Sequence, residues 1–247
     1  MDLKNRSVFI AGGTSGIGLA LAHRLVAAGS TVVVGGRDTT RVTDLPTVEL
    51  DVIDAASVAR ARDAVLRDQP GIDVVVTMAG VMIPEDLRDP SHSAAARTTV
   101  EVNLLGTIRV IDAFTPHFLA SRAGTFITVS SGIGFLPFPL MPTYGASKAA
   151  VHAYTEALRA QLDGTGIEVA ELVPPAVATT PEVKQVNPAA LDLDDFVDEV
   201  VSQLAENPTP HELLVEGVRA HRWAERDGTY AELVARRSQA LSMLPGR

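Results

Sequence analysis

The sequence predicts an α/β fold in three layers, with a doubly wound parallel sheet between two layers of helices. Three features carry that expectation: apolar segments alternate with amphipathic ones, several apolar segments are Val/Ile runs without polar alternation, and the connections are short. Unbroken apolar strands suit a parallel sheet covered on both faces, where neither side of the strand meets water. With 247 residues, 46% of them hydrophobic, and no stretch of linker composition, the chain reads as one domain over 1–247. Together these describe a single-domain, Rossmann-like architecture.

In chain order, strands are expected over Ser7 to Ala11, Thr31 to Gly35, Thr47 to Leu50, Val74 to Met78, Gly124 to Ser130, Gly166 to Leu172 and His211 to Val215. Helices are expected between them, over Gly16 to Ala28, Ala55 to Asp68, Ala94 to Phe118, Tyr144 to Asp163 and Asp194 to Glu206. Proline-containing segments at 81–93, 132–143 and 174–193 interrupt the rhythm, each after a strand end. In an open α/β sheet such loops line the ligand crevice, so they are candidate substrate walls, with 174–193 as a mobile substrate loop. Residues 217–247 read as a helical C-terminal tail, helical over Ala220 to Ser242.

Composition narrows the function classes. A net charge of −9 and an aromatic content of 4% argue against nucleic acid as a partner. The absence of cysteine removes disulfides, thiolate metal sites and cysteine nucleophiles together. The apolar stretch from Ser7 is too short and too rich in glycine for a signal peptide or membrane span, so the expectation is a soluble, cytoplasmic protein without a membrane partner. His117, His152, His211 and His221 lack metal-binding spacing, and no metal is expected. Trp223, in the tail, reads as a packing residue.

The turn Ala11-Gly-Gly-Thr-Ser-Gly-Ile-Gly18 joins the first strand to the first helix. Gly12, Gly16 and Gly18 permit a tight turn and close approach of the backbone to a pyrophosphate held at the helix N-terminus. The second strand ends in Gly35-Gly36-Arg37 rather than in an acidic residue, which favours NADP(H), through pairing of Arg37 with a 2′-phosphate, over NAD(H). Asp51 can accept from an adenine, and Ala79-Gly80 can approach the cofactor ribose.

Tyr144 and Lys148 stand four apart, on one face of a helix. A phenol with a reference pKa of about 10 is a poor base at neutral pH, and a fixed cation beside it favours the ionised form. The pair reads as a proton-transfer device. Ser131 ends the fifth strand, and Asn103 lies inside a helix, where a buried amide suits a bound water or a backbone kink.

In the turn at Gly12 to Gly18, the Asn103 segment, Ser130-Ser131, Tyr144-Gly-Ala-Ser-Lys148 and Pro174-Pro-Ala-Val-Ala-Thr179, the chain resembles the classical short-chain dehydrogenase/reductase family. More narrowly, Asp73 to Met82, Glu85-Asp-Leu and Glu171 to Val177 are similar to the subgroup named after an oxidoreductase linked to D-alanine esterification of teichoic acids, a name that implies no activity here. The resemblance implies Tyr144 as general acid in reduction and base in oxidation, Lys148 on the nicotinamide ribose, Ser131 on the substrate oxygen, and Asn103 anchoring a water. It also implies Thr14, Ser15, Ile17, Val52, Pro174, Val177 and Thr179 as cofactor contacts beside Gly12, Gly16, Gly18, Arg37, Asp51, Ala79, Gly80, Tyr144 and Lys148. A homodimer or homotetramer through the two long helices follows from the same resemblance. Two departures stand out: Thr77-Met-Ala-Gly80 replaces the usual Asn-Asn-Ala-Gly, losing a bracing amide, and Ala11 stands where Thr is common.

The expected substrate is an apolar or aromatic ketone, aldehyde or secondary alcohol, because Met82, Ile133, Phe135, Leu136, Phe138 and Met141 fall in the walls. Arg88 and Lys184 are the cations near them, while Glu85 and Asp86 read as loop or capping charges. Two other classes remain open: a non-enzymatic dinucleotide sensor or scaffold, and a methyltransferase that would leave the Tyr-Lys pair unused.

Overall fold

In a computed structural model, which describes residues 1–206 and 208–246, the Val/Ile runs form the centre of the molecule. The strands are β1 (Ser7–Ala11), β2 (Thr31–Gly36), β3 (Thr47–Glu49), β4 (Val74–Thr77), β5 (Gly124–Val129) and β6 (Ile167–Leu172), followed by β7 (Val177–Ala178), β8 (Leu191–Asp192) and β9 (Glu212–Leu213). Seven make one parallel sheet in the order β3-β2-β1-β4-β5-β6-β9, and β7 pairs with β8 in a small separate sheet. Register sets the faces: Val8 lies between Val32 and Val74, and Ile10 lies between Val34 and Val76. With a side-chain period of two, Phe9 and Ala11 point to the opposite face.

Helices cover both faces. They are α1 (Gly16–Ala27), α2 (Ala55–Asp68), α3 (His92–Val100), α4 (Gly106–Ser121), α5 (Gly132–Phe135), α6 (Pro142–Leu162), α7 (Pro181–Val186), α8 (Leu193–Leu204), α9 (Glu216–Arg222) and α10 (Tyr230–Ser238). Val8, Ile10, Val34 and Ile127 pack with Leu21 and Leu25 of α1 and Phe196 and Val200 of α8. On the other face Phe9, Val33, Val75 and Phe126 pack with Val58 of α2, Phe114 and Phe118 of α4 and Leu162 of α6. The three expected layers follow from these two cores. Among the described residues no helix is long and apolar enough to cross a membrane.

Three stretches differ from the expectation. The helix expected over Ala94 to Phe118 runs from His92 to Ser121 and is broken at Glu101–Leu105 by one π-helical turn, which contains Asn103. The walls at 132–143 and 174–193 are partly ordered into α5, the β7–β8 pair and α7. The tail begins to coil at Glu216, and its helix is interrupted between Arg222 and Tyr230, where Gly228 takes φ +71°. A left-handed residue ends a helix rather than continuing it.

Phe126 is completely buried, its ring centroid 4.9 Å from that of Phe118. Phe126→Ala is expected to lower unfolding free energy by about 3–5 kcal/mol, read from urea unfolding at fixed protein concentration.

Candidate functional site

The parallel sheet brings the C-terminal ends of β1, β2, β4, β5 and β6 to one edge. At β1 the chain turns through Gly12, whose φ is +93°, and the N–H groups of Gly12 and Gly13 donate to Gly35 O at 2.8 and 3.1 Å. A Cβ on Gly12 would lie 2.3 Å from Ala79 N, and one on Gly18 would lie 2.3 Å from Gly12 O. The glycines are therefore required for backbone to meet backbone. Ser15, which precedes α1, makes no side-chain cap, and the first turn holds no acidic residue. Its first N–H groups and the positive end of the helix dipole are left for an anion.

Around this cradle, Gly36 makes room for Thr14, since a Cβ there would lie 2.3 Å from Thr14 Oγ1. Arg37 follows on the surface and makes no hydrogen bond or ion pair among the described residues. Asp38 does not neutralise it. Its carboxylate accepts from the Thr40 N–H and hydroxyl and pairs with Arg41, and the Thr40 bonds hold it below the usual carboxylate range. Asp51 Oδ1 accepts from Ile53 N at 3.1 Å, and buried Val52 packs where Gly106 lacks a side chain. Thr179 Cγ2 comes within 3.6 Å of a Cβ position on Gly16, which places the segment after β6 beside the cradle. With Ala178, Lys184 and Asp192 it lines an open cavity of about 540 Å³ on that flank.

Asn103 is fully buried, not exposed on a helix face. Its Oδ1 accepts from Val81 N at 2.8 Å, while Nδ2 donates to Val81 O at 2.9 Å and to Ser147 Oγ at 3.2 Å. The amide thus pairs with the chain beyond β4 as a strand would. A Cβ on Gly80 would lie 3.4 Å from Asn103 Oδ1 and 3.7 Å from Lys148 Nζ, so these three residues share one point at the floor of the crevice.

Ser131 leaves β5 and caps α5, its Oγ accepting from Ile133 N at 3.3 Å and donating to Pro174 O at 3.4 Å. Tyr144 lies in the first turn of α6 and Lys148 one turn later, with Nζ 5.8 Å from the Tyr144 ring centroid. Lys148 is buried and donates to Val129 O at 2.8 Å. Burial lowers its pKa from 10.5 to about 8. Burial also pushes the Tyr144 phenol up, with the Ser131 side chain acting in the opposite direction. The expected lowering of the phenol by Lys148 is therefore not realised in this state. Desolvation disfavours both charged forms, and the Lys148 ammonium is engaged by Val129 O.

The expected greasy wall divides. Leu136 is fully buried and belongs to the core. Phe135 also packs inward, 4.7 Å from the His152 ring and beneath the Arg222 guanidinium at 4.5 Å. Met82 is exposed, and Ile133, Phe138 and Met141 are half-buried. Both nearby cations are engaged: Lys184 donates to Ala190 O and pairs with Asp192, and Arg88 pairs with Asp86 and donates to Pro245 O. Met78 packs against the core, and the bracing falls to the backbone, where Met78 N and Ala79 N both donate to Ala11 O. Trp223 carries Arg222 and Arg226 over its ring.

Sequence spacing missed one cluster. His152, Glu156, Glu171 and Glu212 bring ligand-type atoms within 4.8 Å of one another because α6, β6 and β9 converge there. Each carboxylate already has a partner: Glu171 meets His152 at 2.7 Å, Glu156 pairs with Arg159, and Glu212 with Arg222. Glu171 raises the His152 pKa, chiefly through their hydrogen bond.

Comparison with known proteins finds similar sequences and similar folds. Residues 6–190 match the family model described as short chain dehydrogenase. The oxidoreductase DltE of Bacillus subtilis, itself uncharacterized, is 33% identical over 187 residues, 72% of this chain and 74% of that protein. A short chain dehydrogenase from Burkholderia cenocepacia, solved in complex with NADP, superposes with a TM-score of 0.82 at 25% identity, covering 95% of this chain and 99% of that one. A Streptomyces avermitilis short-chain dehydrogenase shares the fold with a TM-score of 0.81 at 24% identity, over 97% and 98% of the two chains.

Lys148 yields a measurable pH dependence. Its folded pKa lies below the unfolded value, so the cost of its burial is fully present below pH 8 and is lifted as pH rises towards 10.5. The stability of the wild type relative to Lys148→Met is expected to rise by about 3 kcal/mol across that interval, measured by urea unfolding of both proteins at pH 7 and pH 10.5. A difference that stays flat would show an amine without a burial cost.

Proposed function

Since the chain belongs to the short-chain dehydrogenase family, and is accordingly an oxidoreductase of NAD(P)(H) hydride transfer, we propose that it interconverts an uncharged carbonyl compound and its alcohol with NADP(H). The observation that carries the reading is the meeting of Gly80, Asn103 and Lys148 at the floor of a crevice whose sides hold Ser131 and Tyr144.

The residues present fit a dinucleotide. The glycine cradle, in which a Cβ would strike backbone, and the uncapped start of α1 suit a pyrophosphate. Gly12, Gly16, Gly18, Thr14, Ser15 and Ile17 would hold it, with Asp51 and Val52 towards the adenine and Ala79, Gly80, Pro174, Val177 and Thr179 towards the nicotinamide end. Unpaired Arg37 supports a 2′-phosphate contact, and the NADP complex of the Burkholderia relative supports the same choice. When bound, the nicotinamide supplies or accepts the hydride.

The chain handles orientation and the proton. Ser131 Oγ, turning its proton from the long bond to Pro174 O, and the Tyr144 hydroxyl hold the carbonyl oxygen, and the phenol gives its proton to that oxygen as the carbon is reduced. Burial keeps the phenol protonated before the reaction, which suits it to donate. Lys148, with a pKa of about 8, can return a proton to the phenolate near neutral pH. Asn103 has spent both amide hydrogens, leaving acceptor capacity on Oδ1 for a relay water. Segment 174–193 is assigned as the substrate loop, and the paired state of Arg88 and Lys184 favours a substrate without a carboxylate.

Tyr144→Phe is expected to lower kcat by about 100-fold or more while leaving NADPH affinity intact, measured by nicotinamide absorbance with a panel of ketones and by NADPH fluorescence titration. Retained turnover would remove Tyr144 from the mechanism. Arg37→Ala is expected to weaken NADPH by about 10-fold with little change for NADH, since a charge-assisted phosphate contact is lost. Equal weakening of both would sink the 2′-phosphate role.

A further inference from the structure

The loop between β4 and α3 carries a buried carboxylate directed at the helix that holds Tyr144. Glu85 is 3% exposed, and its side chain is fully covered. Oε1 accepts from Thr143 N at 2.9 Å, and Oε2 accepts from the Thr143 hydroxyl at 2.9 Å. Oε2 also lies 3.2 Å from His92 Nδ1, and the Glu85 N–H donates to Leu140 O at 2.9 Å. One residue therefore grips the segment on both sides of the start of α6 and meets the first residue of α3.

The local chain does not cap α6. Met141 has no side-chain cap bond, and Pro142 fills the first helical position. The first free N–H is that of Thr143, and its acceptor arrives from 58 residues away. A nearby Ser, Thr or Asn could cap a helix without the several kcal/mol that burying a charge costs. The long-range carboxylate does what a local cap cannot: it fixes the position of the helix start relative to another element. That element is itself fixed, because Asn103 binds both backbone groups of Val81 four residues earlier.

We propose that Glu85 is a positioning residue for the reaction, holding the first turn of α6 through Thr143 so that the Tyr144 hydroxyl stays in register with Ser131 and with the substrate wall that begins at Val81. This rests on the assignment of Tyr144 as proton donor. Tyr144 follows Thr143 directly, so a displacement of the first turn is carried to the phenol, whereas the cradle at Gly12 lies on β1 and α1 and is untouched.

The test compares Glu85→Ala, Glu85→Gln and Tyr144→Phe, with 1-phenyl-1,2-propanedione as the carbonyl probe and NADPH as reductant. For Glu85→Ala we expect kcat to fall by about 100-fold, the scale of a 1 Å misplacement, with NADPH affinity unchanged. Glu85→Gln, whose amide can still bond both Thr143 groups, should recover most of the loss. Hydrogen exchange should quicken in peptides covering 142–148 of Glu85→Ala and stay unchanged at the far end of α6. Wild-type kcat in Glu85→Ala, or a kcat loss matched by weaker NADPH binding and faster exchange throughout, overturns the proposal. Should the wild type not reduce the probe, unchanged exchange at 142–148 overturns it and selective quickening supports it. An active Tyr144→Phe sinks the proton-donor reading instead, while an inactive Tyr144→Phe beside a fully active Glu85→Ala sinks only the role of Glu85.

Discussion

The crevice depends on one buried amide. Asn103 bonds both backbone groups of Val81 and the hydroxyl of Ser147, so the chain after β4, the π turn and α6 meet through a single side chain. Asparagine is a poor helix former, and a π turn gives up regular hydrogen bonding. Those costs are offset because the amide satisfies the N–H and C=O of half-buried Val81, which lie in a part-buried position where an unpaired polar group is costly. The Thr107 hydroxyl donates to Asn103 O at 2.9 Å, which ties the turn to the start of α4. The geometry at Gly80 and Lys148 follows from this junction.

The fold was legible because its determinants are local. Strands such as Val32-Val33-Val34 and Val74-Val75-Val76 are buried on both sides, and their composition states it. The glycine turn and the four-residue step from Tyr144 to Lys148 were legible for the same reason, being fixed by backbone geometry within a few residues. The ionisation state of that pair was not, because it depends on how deeply each group is buried and on Val129 O, which lies 19 residues from Lys148. The capping reading of Glu85 came from its place in a loop, but its target, Thr143, is set by tertiary structure alone. Leu136 looked like a pocket residue because a wall and a core offer the same hydrophobicity to a sequence. The His152 and Glu171 contact had no sequence signal, since α6 and β6 are brought together only by the sheet.

Electrostatics inside the crevice favour neutral forms. Lys148 is buried and Tyr144 half-buried, and desolvation moves each pKa in the direction that removes charge. Such a pair fits the proposed proton transfer, because the phenol is held protonated and the Lys148 pKa of about 8 lies close to neutral pH. The cradle is the opposite: unpaired helix N–H groups and the unpaired Arg37 leave positive potential where a cofactor phosphate is expected. The two halves of the crevice are thus electrostatically distinct, one prepared for fixed negative charge and the other for transient charge.

The C-terminal tail engages cations that flank the transient half other than Lys148. Arg237, on α10, donates to Leu136 O and to the His221 ring, and His221 is lowered to about 4 by burial and by the nearby arginines, so it accepts as a neutral ring. Farther along, Pro245 O accepts from Arg88 at 2.9 Å. The tail therefore fastens to the wall after β5 at one point and to the wall after β4 at another, each time by consuming a guanidinium donor. Arg222 is similarly held by Glu212 while stacking on Phe135. Cations around the substrate side serve as internal clasps, and a clasp already bonded to a carbonyl or carboxylate gains little from binding a substrate anion, because one interaction must be broken to make the other. The uncharged carbonyl substrate proposed above would bind without breaking any of these clasps.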